Sequence, residues 1–72
     1  MENYVINENP QANGDYEIHS KTKGCSHMPH IQNQIDLGYY ASCGEAVAEA
    51  KKRWPHKRIN GCFYCCPLCH TS

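Results

Sequence analysis

Apolar positions in this 72-residue chain come in short runs, and their period changes from two to a helical spacing part-way along. Tyr4-Val5-Ile6 is a short β-prone run. A polar segment from Asn7 to Gly14 follows and closes on Asn13-Gly14, a dipeptide favoured in tight turns. Asp15-Tyr16-Glu17-Ile18-His19 then alternates polar and apolar like a half-buried strand, which predicts antiparallel pairing with the first run. Residues 20–34 hold Gly24, Pro29 and many polar side chains and read as a loop. Ile35-Asp36-Leu37-Gly38-Tyr39 alternates again, with Ile35, Leu37 and Tyr39 expected on one face.

The helical signal comes next. Ser42-Cys43-Gly44-Glu45 matches a capping box, in which the Ser hydroxyl and the Glu carboxylate satisfy backbone donors of the first turn. Cys43, Ala46, Val47, Ala50 and Trp54 then share one face, Glu49 precedes Arg53 by four, and Pro55 ends the run. One amphipathic helix is expected over about 43–54. Ile59-Asn60-Gly61 turns the chain into its cysteine-rich end. The pattern predicts an α+β class: a small metal-stapled β-β-α domain with a short two- or three-stranded antiparallel sheet. It is expected as a single domain over 1–72, with 1–14 an additional N-terminal strand and turn and 15–72 the metal-binding core.

Composition makes a staple necessary. Hydrophobic residues are 40% of the chain, but that count includes six cysteines and five tyrosines. The aliphatic core builders are Val5, Ile6, Ile18, Ile31, Ile35, Leu37, Val47, Ile59 and Leu68. So short a chain buries little apolar surface against its ordering entropy, and domains of this size commonly rely on disulfides or a metal. Met1-Glu2-Asn3-Tyr4-Val5-Ile6-Asn7-Glu8 has neither a basic stretch nor an apolar segment of the secretory kind, and no run has the length of a membrane span. The expectation is a cytoplasmic monomer whose cysteines serve a metal. A disulfide-stapled mini-domain is the alternative.

Cys62-x-x-Cys65 and Cys66-x-x-Cys69 are two consecutive metal-knuckle spacings, four cysteines in eight residues. Two residues between thiolates let a tight turn aim both sulfurs at one ion. Cys65 and Cys66 are adjacent, so one of them is expected to face elsewhere. The remaining ligands would come from Cys25 in the loop and His19 at the end of the preceding strand. The candidate ligands are therefore His19, Cys25, Cys62, Cys65, Cys66 and Cys69, for one zinc ion. Cys43, on the apolar helix face, reads as a packed thiol before it reads as a ligand. His27, His30 and His56 read as solvated, and His70 as a possible substitute for a thiolate.

From about Tyr16 onward this layout resembles the metal-binding domain of the Ada DNA-repair protein and the small domains grouped with it. The matching elements are His19 and Cys25, the Leu37-Gly38-Tyr39 strand, the Glu45-Ala46-Val47 helix and Cys62-x-x-Cys65. The resemblance implies a zinc-stabilised β-β-α fold with Cys25, Cys62 and Cys65 as ligands. It also implies a metal-bound thiolate able to accept an alkyl group, with Cys25 nearest in position to the reactive cysteine. His19 and Cys25 stand further apart than in that pattern, and Cys66 and Cys69 have no counterpart in it. The end of the chain also resembles small bacterial proteins with a Gly-Cys-x-x-Cys-Cys-Pro-x-Cys-His tail, a likeness that implies no function.

Charge is balanced overall but segregated. Residues 1–17 carry Glu2, Glu8, Asp15 and Glu17 and no base, whereas Lys51, Lys52, Arg53, Lys57 and Arg58 cluster around Trp54. The basic cluster is a candidate nucleic-acid contact; offsetting the helix dipole is its plainer role. No nucleophile–base signature or Gly-rich phosphate loop is present, so no enzyme is expected. The functional expectation is a zinc module with a mainly structural metal, contacting nucleic acid or a protein. The alternatives are an alkyl acceptor, a redox sensor in which surplus thiols form a disulfide, and a metal carrier.

Overall fold

The computed structural model describes residues 1–71. Five regular elements and two short 3-10 turns follow one another along the chain: β1 (Glu2–Asn7), β2 (Asp15–Ser20), a turn at Ile31–Asn33, β3 (Gln34–Tyr40), α1 (Cys43–Arg53), β4 (Arg58–Gly61) and a turn at Pro67–Cys69; β1, β2, β3 and α1 come in the expected order. The strands form one mixed sheet in the order β3-β1-β2-β4. β1 is antiparallel to both β2 and β3, and β4 runs parallel to β2. The class is α+β as expected, but the sheet has four strands rather than two or three. β1 is an inner strand of that sheet, with Val5 and Ile6 each 2% exposed.

β4 replaces the turn expected at Ile59-Asn60-Gly61. Its single aliphatic residue gives no alternation to read, and its strand geometry comes from pairing with β2. Arg58 sits opposite Asp15, and their side chains form an ion pair at 2.9 Å. Asn60 adds a bond from Nδ2 to Asp15 Oδ2 at 3.3 Å, and its Oδ1 accepts from the backbone N–H of Thr71 at 2.9 Å.

β3 departs from its predicted face. Tyr4 pairs with Gly38 while Val5 pairs with Asp36, so Leu37 is an extra residue opposite β1. Gly38 takes φ +107°, a conformation that suits a residue without Cβ. The bulge keeps Leu37 in the core, puts Tyr39 out at 66% exposure, and brings Tyr40 against the core in its place.

α1 starts at Cys43 and ends at Arg53. Ser42 is the N-cap residue but makes no side-chain capping bond. Glu45 Oε1 instead accepts from the N–H of Ala41 at 3.1 Å, one residue earlier than a capping box requires. At the other end Trp54, before Pro55, has left helical backbone, as the proline ring demands. Glu49 and Arg53 pair at 2.8 Å.

The helix buries Ala46 and Ala50 against Tyr4, Ile6, Ile18 and Leu37. Two alanines permit close approach but contribute little area, while Ile31 and Leu68 lie on the surface at 75% and 95% exposure. The aliphatic core is thus thinner than composition suggests, and Cys62, Cys65 and Cys66 complete it. Alternation along β2 places Ile18 and Ser20 toward α1, leaving Glu17 and His19 on the opposite face.

Candidate metal centre

Three separate segments converge on His19. β2 supplies the imidazole, the loop after it supplies Cys25, and the turn beyond β4 supplies Cys62 and Cys65. Parallel pairing makes this possible: the β2–β4 register continues past Gly61, where the N–H of Cys62 donates to the Ile18 carbonyl at 2.9 Å. The first knuckle therefore starts beside the end of β2.

His19 Nδ1 lies 3.7 Å from Cys25 Sγ and 3.6 Å from Cys65 Sγ; Cys25 Sγ lies 3.5 Å from Cys65 Sγ and 3.9 Å from Cys62 Sγ. All four candidate ligand atoms fall within 4.8 Å of one another. His19, Cys62 and Cys65 are buried and Cys25 is partly exposed. One imidazole nitrogen and three sulfurs so arranged can hold a metal ion.

The surroundings keep the imidazole neutral and leave the thiols to be ionised by a bound cation. Burial, with His27 nearby, pushes His19 below its usual 6.5, which keeps the ring neutral and a lone pair available. Its Nε2 faces Glu17 Oε1 at 3.6 Å, a loose contact that favours the proton on Nε2 and leaves Nδ1 facing the sulfurs. Burial pushes the Cys65 thiol well above the ordinary thiol range, although the Ser20 N–H, 3.3 Å from its sulfur, acts in the opposite direction. A thiol in that position ionises when a cation takes the place of its proton.

Two of the six expected ligands lie outside the cluster. Cys66 is buried among the core residues and is not one of the four clustered donors; its N–H donates to the Cys62 carbonyl at 2.8 Å, which closes the knuckle turn. Cys69 is joined to Cys43 by a disulfide, 2.00 Å between sulfurs. This corrects both the reading of Cys69 as a ligand and that of Cys43 as a packed free thiol. The cause is the Pro67–Cys69 turn, closed by Cys69 N–H to the Cys66 carbonyl at 3.0 Å, which carries the chain back over Gly61 toward the start of α1. A Cβ on Gly61 would sit 2.7 Å from Cys69 Cβ, so only glycine leaves room for the return. No spacing rule pairs cysteines 26 residues apart, so the sequence, though it left a disulfide open, did not identify Cys43 as the partner.

The remaining histidines stay outside the cluster. His70 Nδ1 is 3.0 Å from the Gly61 carbonyl, His27 stacks on Tyr64, and His30 and His56 are exposed. The basic cluster is partly engaged within the fold: Arg53 with Glu49, Arg58 with Asp15, and Lys57 with its ammonium 4.5 Å from the Tyr16 ring and 5.4 Å from Trp54. Glu17 was not singled out in the sequence, though its place two residues before His19 on a strand puts both on one face.

No family model matches the chain, and no curated protein or solved structure shows significant similarity to it. No helix among the described residues is long and apolar enough to cross a membrane.

Proposed function

We propose that the protein is a small zinc-binding module in which one zinc ion, held by His19, Cys25, Cys62 and Cys65, closes the fold. The supporting observation is the spacing of the four donors. Tetrahedral zinc at about 2.3 Å from sulfur and about 2.0–2.1 Å from nitrogen sets S···S edges near ~3.8 Å and S···N edges near ~3.6 Å. Four of the six separations are 3.5 and 3.9 Å between sulfurs and 3.6 and 3.7 Å from sulfur to nitrogen, and all six lie within 4.8 Å. Three thiolates and an imidazole also favour zinc over the hard, oxygen-seeking cations.

Four protein ligands leave no open position for water or substrate, which is the arrangement of a structural site. The function is accordingly a binding or structural role and not catalysis. Nucleic-acid contact through Lys51, Lys52, Arg53, Lys57 and Arg58 has weaker support, because three of those five side chains already have intramolecular partners. The partial exposure of Cys25 supports a second reading: its metal-bound thiolate takes an alkyl group from an electrophile, forming a thioether as the leaving group departs.

Native mass spectrometry of protein expressed with zinc, followed by the denatured mass, tests the main reading. One zinc per chain is expected, lost in Cys62→Ser and Cys65→Ser and retained in Cys66→Ser. A metal-free native mass, or zinc retained after Cys62→Ser, would overturn it. A gain of one methyl group at Cys25 after treatment with methyl iodide, with the other thiols unmodified, would favour the second reading.

A further inference from the structure

On the sheet face opposite α1, a cavity of about 190 Å³ opens between β2 and the first knuckle, lined by Asn7, Gln11, Glu17, His19, His27, Phe63 and Tyr64. Its floor is a carboxylate without a cation. The Glu17 side chain is only 13% exposed, and its sole ion-pair contact among the described residues is the loose one with His19. The arginines that pair with acids are committed elsewhere, Arg58 to Asp15 and Arg53 to Glu49. An anion taken this far from water is costly unless a cation joins it.

The walls are aromatic and unusually open. Phe63 and Tyr64, the two residues inside Cys62-x-x-Cys65, are 59% and 63% exposed and meet edge to face at 5.3 Å. His27 lies flat on Tyr64 at 4.2 Å and His70 stands edge-on to Phe63 at 5.4 Å. In a chain short of core builders, two large rings left in solvent beside a buried carboxylate form a surface with something still to cover.

We propose that this cavity binds the guanidinium of an arginine side chain on a partner peptide, which stacks on Tyr64 and Phe63 and pairs with Glu17. Guanidinium matches both features: its planar fork meets a carboxylate through two parallel N–H bonds, and its face stacks on aromatic rings. A lysine ammonium offers the charge without the plane. A nucleotide offers the plane with the wrong charge, since no lysine or arginine lines the cavity to receive its phosphate and Glu17 repels it.

The test is calorimetric titration of zinc-loaded protein at about pH 8, where histidines of ordinary pKa are neutral. The probes are three short capped peptides that differ only in one residue: arginine, lysine or citrulline. Saturable binding of the arginine peptide is expected, with citrulline, of the same shape but uncharged, at least about tenfold weaker and lysine between them. Tyr64→Ala and, separately, Phe63→Ala should each weaken the arginine peptide severalfold while zinc content, measured on every sample, stays at one per chain. Equal binding of the arginine and citrulline peptides, no saturable binding to the zinc-loaded protein, or tighter binding of a ribonucleotide titrated in parallel would overturn the proposal. Loss of zinc from the unsubstituted protein would instead count against the metal reading alone.

Discussion

Cys62-x-x-Cys65 and Cys66-x-x-Cys69 share one spacing and adjoin each other, yet they end in different chemistry. The first pair closes on His19 and Cys25 from the β2 side of the molecule. The second is parted: Cys66 stays a buried free thiol and Cys69 bonds to Cys43 at the start of α1. What separates them is the backbone leading into each. Cys62 enters from a strand in register with β2, which delivers it beside His19. Cys69 follows Pro67 into a 3-10 turn that doubles back across Gly61. The chain thus fastens its last ten or so residues twice, once to each face of the sheet. A Cys-x-x-Cys spacing states that two sulfurs can meet an ion; the route of the backbone decides whether one is there to meet.

The largest expected effect contrasts the two fastenings directly. Structural zinc contributes about 10–16 kcal/mol in zinc-finger peptides, comparable with the whole stability of a typical domain, about 5–15 kcal/mol. Chelation of the metal should therefore unfold the protein, seen as loss of secondary structure by circular dichroism. Cys69→Ser should cost only about 2–4 kcal/mol in urea denaturation, with zinc retained. If Cys69→Ser also released the metal, the two fastenings would be one cooperative unit.

A smaller effect concerns the point where the routes cross. Gly61→Ala places a methyl group 2.7 Å from Cys69 Cβ and 3.0 Å from the Cys66 carbonyl oxygen. A loss of about 1–3 kcal/mol is expected from such overpacking. In a Cys43→Ser, Cys69→Ser background the turn is free to move aside, so the same substitution should cost measurably less, a coupling that a double-mutant cycle reads out. Equal cost in both backgrounds would show that the knuckle, not the disulfide, holds the turn over Gly61.

The smallest effect separates the fastenings by pH. Burial holds folded His19 below its usual 6.5, so its contribution to stability is present above that value and is lost as pH falls through the folded pKa. Protons also compete with zinc for the three thiolates. Mild acid should weaken zinc binding and lower the urea midpoint, while the Cys43–Cys69 bond, which does not titrate, persists in the denatured mass.

Much of the fold was legible because it rests on local rules. The alternation of residues 15–19, the Asn13-Gly14 turn and the helix from Cys43 to its stop before Pro55 follow from side-chain period, turn chemistry and the missing proline donor. Each of those acts within a few residues, as does the Glu49–Arg53 pair. So does the knuckle spacing that drew attention to Cys62 and Cys65. Tertiary structure decided the rest. β4 is a strand because β2 pairs with it, Tyr39 faces solvent because the bulge at Gly38 shifts the pleat, and β1 is central because two strands flank it. The division of the cysteines between a four-ligand cluster and a disulfide belongs to the same class. It depends on which distant backbone segments lie within a few ångströms of a sulfur, and that proximity is set by sheet register and by the room left at one glycine, neither of which local spacing encodes.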